Sequence, residues 1–209
     1  MLEAFTAGLL LITVSELGDK TFFISAILAT RYSRRWVFLG SVAALAAMTL
    51  ISVAMGQLVS VFPQLYVKLA EILLFLVFGL KLLYDASKMP KDGCLVDEQE
   101  EAAEAIRKAE KKLPSRHTPP MIVAEAFGLT FVAEWGDRTQ FATIALAAAK
   151  NPIGVVAGAT LGHAICAAIA VVGGRIICQY ISERILTMLG GTLFIGFAAL
   201  SLLSLVGIG

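Results

Sequence analysis

A membrane-spanning helix needs about 20 mostly apolar residues. This chain supplies six such stretches, at 4–30, 36–59, 65–86, 121–149, 152–176 and 183–207. That feature limits the fold to a bundle of membrane helices, because in lipid every backbone polar group must be paired within the protein. Charged residues make up 16% of the chain, against roughly a quarter in ordinary soluble domains. The expected class is an all-α polytopic membrane protein of six transmembrane helices, with no room for a separate catalytic domain. The first apolar run exceeds a signal-peptide core and lacks a basic leader or small-residue cleavage site, so it reads as a retained helix.

Between the third and fourth stretches, 87–120 has a different character. It opens on Lys88-Met89-Pro90-Lys91-Asp92-Gly93 and closes with Pro114, Pro119 and Pro120. From Asp97 to Lys112 it runs from acidic to basic, matching the dipole of a solvated helix. Three parts follow: a first three-helix unit at 1–86, a charged and partly helical linker at 87–120, and a second three-helix unit at 121–209.

The two units are related. Shifting the first by 118 residues places Glu16, Gly18, Asp19, Lys20 and Thr21 on Glu134, Gly136, Asp137, Arg138 and Thr139. The same shift carries Gly40 onto Gly158 and Gly56 onto Gly174, and one further residue aligns Leu74–Phe78 with Leu193–Phe197. A repeat of three helices must enter the membrane from opposite sides. The expectation is therefore an inverted repeat with the substrate site at the midplane interface, as in many secondary transporters. Arg31, Arg34, Arg35, the linker and Arg184 fall on one side, with little beyond Lys68 and Lys150 on the other. The positive-inside rule then puts the linker in the cytoplasm and both termini outside or in a lumen, in a prokaryotic inner or thylakoid membrane.

Charged groups at mid-membrane depth cost about 2.5–3.5 kcal/mol each on insertion scales and mark function by default. Glu16, Asp19, Glu134 and Asp137 are such groups. The i,i+3 spacing sets each Glu–Asp pair on one helix face, and the inverted symmetry can bring the two faces together. Four carboxylates suit hard cations such as Ca²⁺, Mn²⁺ or Mg²⁺, and Thr21, Thr139 and Gln140 are candidate neutral oxygens beside them. The intervening glycines weaken the helix and offer backbone carbonyls. With Lys20 and Arg138 the four acids sum to minus two, a charge that one divalent ion or two protons would cancel. The competing structural reading makes Glu16–Lys20 and Glu134–Arg138 internal i,i+4 salt bridges, which leaves both aspartates without partners.

The motif E-x-G-D-[KR]-[ST] thus occurs twice, at Glu16–Thr21 and Glu134–Thr139, around a charged central loop. The chain resembles the cation/proton exchangers that include the Golgi and chloroplast manganese/calcium transporters and the cyanobacterial manganese exporter. The resemblance covers essentially the whole chain. It implies export of Mn²⁺ or Ca²⁺ against protons, with the four motif acids as the metal site.

Other classes are disfavoured. Near-neutral charge without a basic stripe argues against nucleic acid as a partner. Cys94, Cys166 and Cys178 lack the spacing of a disulfide framework or a thiolate metal site. No hydrolase motif is present, so no enzyme and no resident cofactor is expected; the partners are lipid, divalent cations and protons. A six-helix exporter of amino acids or other organic cations is the competing transport reading. Gly154, Gly158 and Gly162 read as a close-packing face on the fifth span. His163 reads as a packing histidine beside it, with proton relay as the minor reading. Glu125 reads equally as a pathway or an interfacial residue. Glu71 and Lys81 are expected near opposite interfaces, and Gln57 and Arg175 at headgroup level.

Overall fold

The computed structural model describes residues 1–89, 96–110, 118–177 and 182–207. Among these the chain is all-helical: α1 (Leu2–Glu16), α2 (Lys20–Arg31), α3 (Arg34–Val59), α4 (Gln64–Lys88), α5 (Val96–Glu110), α6 (Pro119–Ala133), α7 (Arg138–Ala149), α8 (Pro152–Ile177) and α9 (Glu183–Val206). Cys94, Cys178 and the Lys112 end of the expected linker helix lie outside the described residues, as does the side chain of Arg175.

Two expected spans are not single helices. The run 4–30 divides into α1 and α2, and the run 121–149 into α6 and α7. At each break a glycine takes a left-handed backbone, Gly18 at φ 80° and Gly136 at φ 82°. The next residue, Asp19 or Asp137, is the N-cap of the following helix. A glycine stop followed by an aspartate start is ordinary helix punctuation. Here it sits inside an apolar run whose hydropathy never dips far enough to reveal it. The i,i+3 face expected for Glu16 with Asp19, and for Glu134 with Asp137, is therefore replaced by two acids flanking a break. Arg34–Val59, Pro152–Gly173 and Glu183–Val206 are each long and apolar enough to cross a membrane by themselves.

Packing repeats with the sequence. Helix α1 packs on α8 as α6 packs on α3, α2 meets α8 as α7 meets α3, and α4 pairs with α9. The glycines make this possible. A Cβ on Gly158 would lie 2.1 Å from the Phe5 carbonyl oxygen, and one on Gly40 would lie 2.5 Å from that of Val123. Phe5 and Val123 are themselves related by the same 118-residue shift, so each contact repeats the other. Outside, Leu50, Leu58, Leu73, Leu80 and Leu200 are exposed, giving the apolar surface that lipid requires.

Helix α5 differs from the solvated helix expected. It lies against α2 and touches α6, burying Ala102 and Ile106 in a cluster with Phe22, Phe23 and Ala126. The i,i+4 spacing of these two residues gives an otherwise charged helix one apolar stripe.

Candidate cation site

The two helix breaks meet inside the bundle. Glu16 closes α1 and Glu134 caps α6, and they are 2% and 3% exposed. One carboxylate oxygen from each of Glu16, Glu134 and Asp137 falls within 4.8 Å of the others, an arrangement able to hold a metal ion. The cluster draws on both halves of the chain, which the 118-residue relation requires if one site is shared between them.

Each glutamate carries one engaged and one open oxygen. Thr21 Oγ1 donates to Glu16 Oε2 at 3.2 Å, and Thr139 Oγ1 lies 3.5 Å from Glu134 Oε2 and 3.0 Å from Asp137 Oδ2. Glu16 Oε1 and Glu134 Oε1 have no hydrogen-bond partner. Buried carboxylate oxygens without a donor are expensive, and a cation is the group that would satisfy both. Both threonine hydroxyls thus lie against the acids, where each donates to a carboxylate.

The other sequence candidates divide. Asp19 stands apart from the three-acid group and accepts a hydrogen bond from Arg138 at 3.1 Å, an ion pair that joins the two halves. Asp137 instead caps its own helix, accepting from the Thr139 backbone N–H at 3.2 Å. Lys20 turns away, pairing with Glu101 of α5 at 3.0 Å. Gln140 Oε1 accepts from the Gly136 N–H at 2.7 Å and so secures the loop instead of supplying a free oxygen. Neither i,i+4 salt bridge of the structural reading forms, because each helix break rotates the base away from its own glutamate. The charge sum changes accordingly: four acids with Arg138 alone give minus three.

A cavity of about 190 Å³ opens onto Asp19, Gly18 and Arg138, lined also by Leu82, Asp85, Glu98 and Gly190. Glu98 and Glu101 of α5 were not candidates in the sequence. The signal was the Ala102–Ile106 stripe, which presses this helix against α2, setting Glu98 in the cavity lining and Glu101 against Lys20. His163 is buried and shares a small pocket with Glu16 and Thr21, its Nδ1 unpartnered. Glu125 is buried apart from the acids, in a pocket with Lys20 and Lys108. Gln57 does not reach for headgroups; its amide donates to the Ala147 carbonyl oxygen at 2.8 Å.

Trp135 lies inside the second break, 62% exposed. Its ring continues a line of aromatics along α6, 5.8 Å from Phe131, which stacks on Phe127 at 5.6 Å.

Residues 4–90 and 122–207 match the family described as "Divalent cation/proton antiporter GDT1". The chain is similar to the GDT1-like protein sll0615 of Synechocystis sp., 59% identical over 201 residues that cover 96% of this chain and 97% of that one. It is 43% identical over 208 residues to GDT1-like protein 3 of Oryza sativa subsp. indica, covering 96% of this chain and 74% of the relative. It is 42% identical over 212 residues to the chloroplastic PAM71-homolog of Arabidopsis thaliana, covering 94% of this chain and 58% of the relative. No solved structure matches the chain.

Proposed function

This chain belongs to the GDT1 family of divalent cation/proton antiporters, and from that membership we propose that it exports Mn²⁺, Ca²⁺ or both from the cytoplasm in exchange for protons. The observation that carries the reading is the buried group of Glu16, Glu134 and Asp137, whose ligand oxygens from opposite halves lie within 4.8 Å. Hard carboxylate oxygens select hard divalent ions. Asp19 and Arg138, which pair across the two halves, line the neighbouring cavity. The organic-cation reading is set aside, since family membership makes the cargo a divalent cation.

Two protons and one divalent ion carry equal charge. With Arg138 paired in place, either load brings the four acids from minus three to minus one. The unloaded cluster crowds like charges in low dielectric and is the unfavourable state for crossing, which couples the two fluxes. The three-helix units are read as inverted repeats, with α1–α2 and α6–α7 as broken spans whose breaks lie near the midplane. The linker side, where Arg31, Arg34 and Arg35 gather, is read as cytoplasmic and the termini as extracytoplasmic or lumenal. In that frame the cavity beside Asp19 faces the cytoplasm, the side from which an exporter loads.

The test is flux in liposomes containing the purified chain, with Mn²⁺ or Ca²⁺ followed under an imposed pH gradient. Gradient-driven flux is expected for the wild type, and Glu16→Gln and Asp137→Asn should each lower it at least tenfold. Unchanged flux in both variants would remove the site assignment. Metal flux indifferent to the gradient would remove the exchange.

A further inference from the structure

Helices α4 and α9 are related by a 119-residue offset that carries Glu71 onto Gly190 and Phe75 onto Phe194. A polar cavity lies at each end of this pair. The one at the Leu82–Met89 end of α4 reaches Asp19 and Arg138. The other, about 220 Å³, is lined at the Lys68–Glu71 end by Glu3, Lys150, Ser201 and Ser204. Lys68 of α4 and the helix's C-cap Met89 are 21 residues apart. At the helical rise that is about 32 Å, close to the hydrocarbon thickness.

Between the two cavities the α4–α9 interface is closed by Phe75 and Phe194, both fully buried, with ring centroids 5.7 Å apart in an edge-to-face contact. One helical turn from Phe75 on the cavity side stands Glu71. It is 3% exposed and its Oε1 has no hydrogen-bond partner. A buried carboxylate oxygen without a donor is expensive unless a ligand satisfies it, and Glu71 lines this cavity of about 220 Å³.

The surroundings select the ligand. The charged groups facing Glu71 are Lys68 on its own helix, Glu3 on α1 and Lys150 at the end of α7, while α9 contributes the Ser201 and Ser204 hydroxyls. Lys68 donates to Ser204 at 3.1 Å, and Lys150 is bonded to Glu3. Two ammonium groups beside one available carboxylate make a poor seat for a divalent cation. A single proton needs only the one oxygen. Resting on the antiport reading above, we propose that Glu71 is the proton acceptor of the exchange on the side facing away from the linker. Its carboxylate takes a proton from hydronium in the outer cavity, leaving a neutral acid and a water molecule. It yields that proton toward the cavity at Asp19 and Arg138 when the Phe75–Phe194 contact parts.

The full chain in liposomes tests this with two assays: Mn²⁺ flux driven by a pH gradient, and exchange of Mn²⁺ for isotopic Mn²⁺ at equal pH. Glu71→Gln should lower gradient-driven flux at least tenfold and flatten its dependence on outer pH. Isotope exchange should stay within twofold of wild type, and Glu71→Asp should restore coupling. Retained gradient-driven flux in Glu71→Gln overturns the assignment, as does equal loss of both assays, which would mark a cation ligand or a packing role. Lys68→Met keeps the proposal testable if Glu71→Gln does not fold. Removing that charge should raise the outer-pH midpoint of flux by about one unit, and an unmoved midpoint counts against Glu71. If the wild type itself shows isotope exchange without pH coupling, the antiport reading fails first and Glu71 falls with it.

Discussion

At the scale of single residues, the site is made by two glycines as much as by the acids. Gly18 and Gly136 take a backbone that other residues adopt only at a cost of about 1–2 kcal/mol. A comparison with Gly128 of α6 isolates that cost. A Cβ on Gly136 would meet nothing within 4 Å, and neither would one on Gly128, which lies in regular helix. Gly136→Ala is therefore expected to lower stability by about 1–2 kcal/mol. Gly128→Ala is expected to raise it by up to about 1 kcal/mol. Melting temperatures in detergent check both. Equal shifts for the two variants would mean that the left-handed turn does not govern the break. The acids themselves were legible in the sequence because mid-membrane charge is rare. Their division of labour was not, since it depends on which way each helix leaves the glycine. That turn sends Arg138 to Asp19 and Lys20 to Glu101, and it leaves Gln140 holding the loop.

Helices are where the sequence reading was most and least successful. Uninterrupted apolar runs gave α3, α4, α8 and α9 almost to their ends. The two runs holding the motif looked equally continuous, because Leu, Phe, Val and Trp surround the stop–start signal and hydropathy averages over it. The Gly154–Gly158–Gly162 face was read from spacing alone, and it is the surface on which α1 lies. Its tightest point gives a prediction at this scale. Gly158→Ala places a methyl group 2.1 Å from a backbone oxygen of Phe5, so α1 and α8 must separate. The expected loss is about 1–3 kcal/mol, read as a lowered melting temperature. No change would show that this pair can slide apart freely. For α5 the acid-to-base gradient foretold a helix, but a charge pattern carries no information about docking; the apolar pair Ala102 and Ile106 does.

Across the whole molecule, the halves obey one packing plan yet differ where they touch the cavity. Arg138 reaches across to the first half, while its counterpart Lys20 is held by the linker helix. If the halves exchange roles as the cavity changes sides, the Lys20–Glu101 contact must break once per cycle. With the native cysteines replaced, Lys20→Cys and Glu101→Cys joined by a short bis-maleimide should abolish gradient-driven flux and leave Mn²⁺ binding intact. Flux persisting after cross-linking would mean that α5 rides with α2 throughout. As a surface pair the contact is worth less than about 1 kcal/mol, so its loss costs little and suits a joint that opens often. The repeat itself was plain in the sequence. Its asymmetry was not, because residues at matched positions carry no record of which half the linker leans on.

Trp135 gives the molecule a use that its chemistry does not suggest. The chain has only two tryptophans, and this one stands in the break between Glu134 and Gly136 with most of its ring exposed. An indole in that position is an optical probe built into the backbone of the proposed cation site. In a Trp36→Phe background its emission becomes a single-site signal. Paramagnetic Mn²⁺ should quench it, whereas closed-shell Ca²⁺ should only shift it. The two ions that the carboxylates treat alike would then be told apart by light, with no label attached.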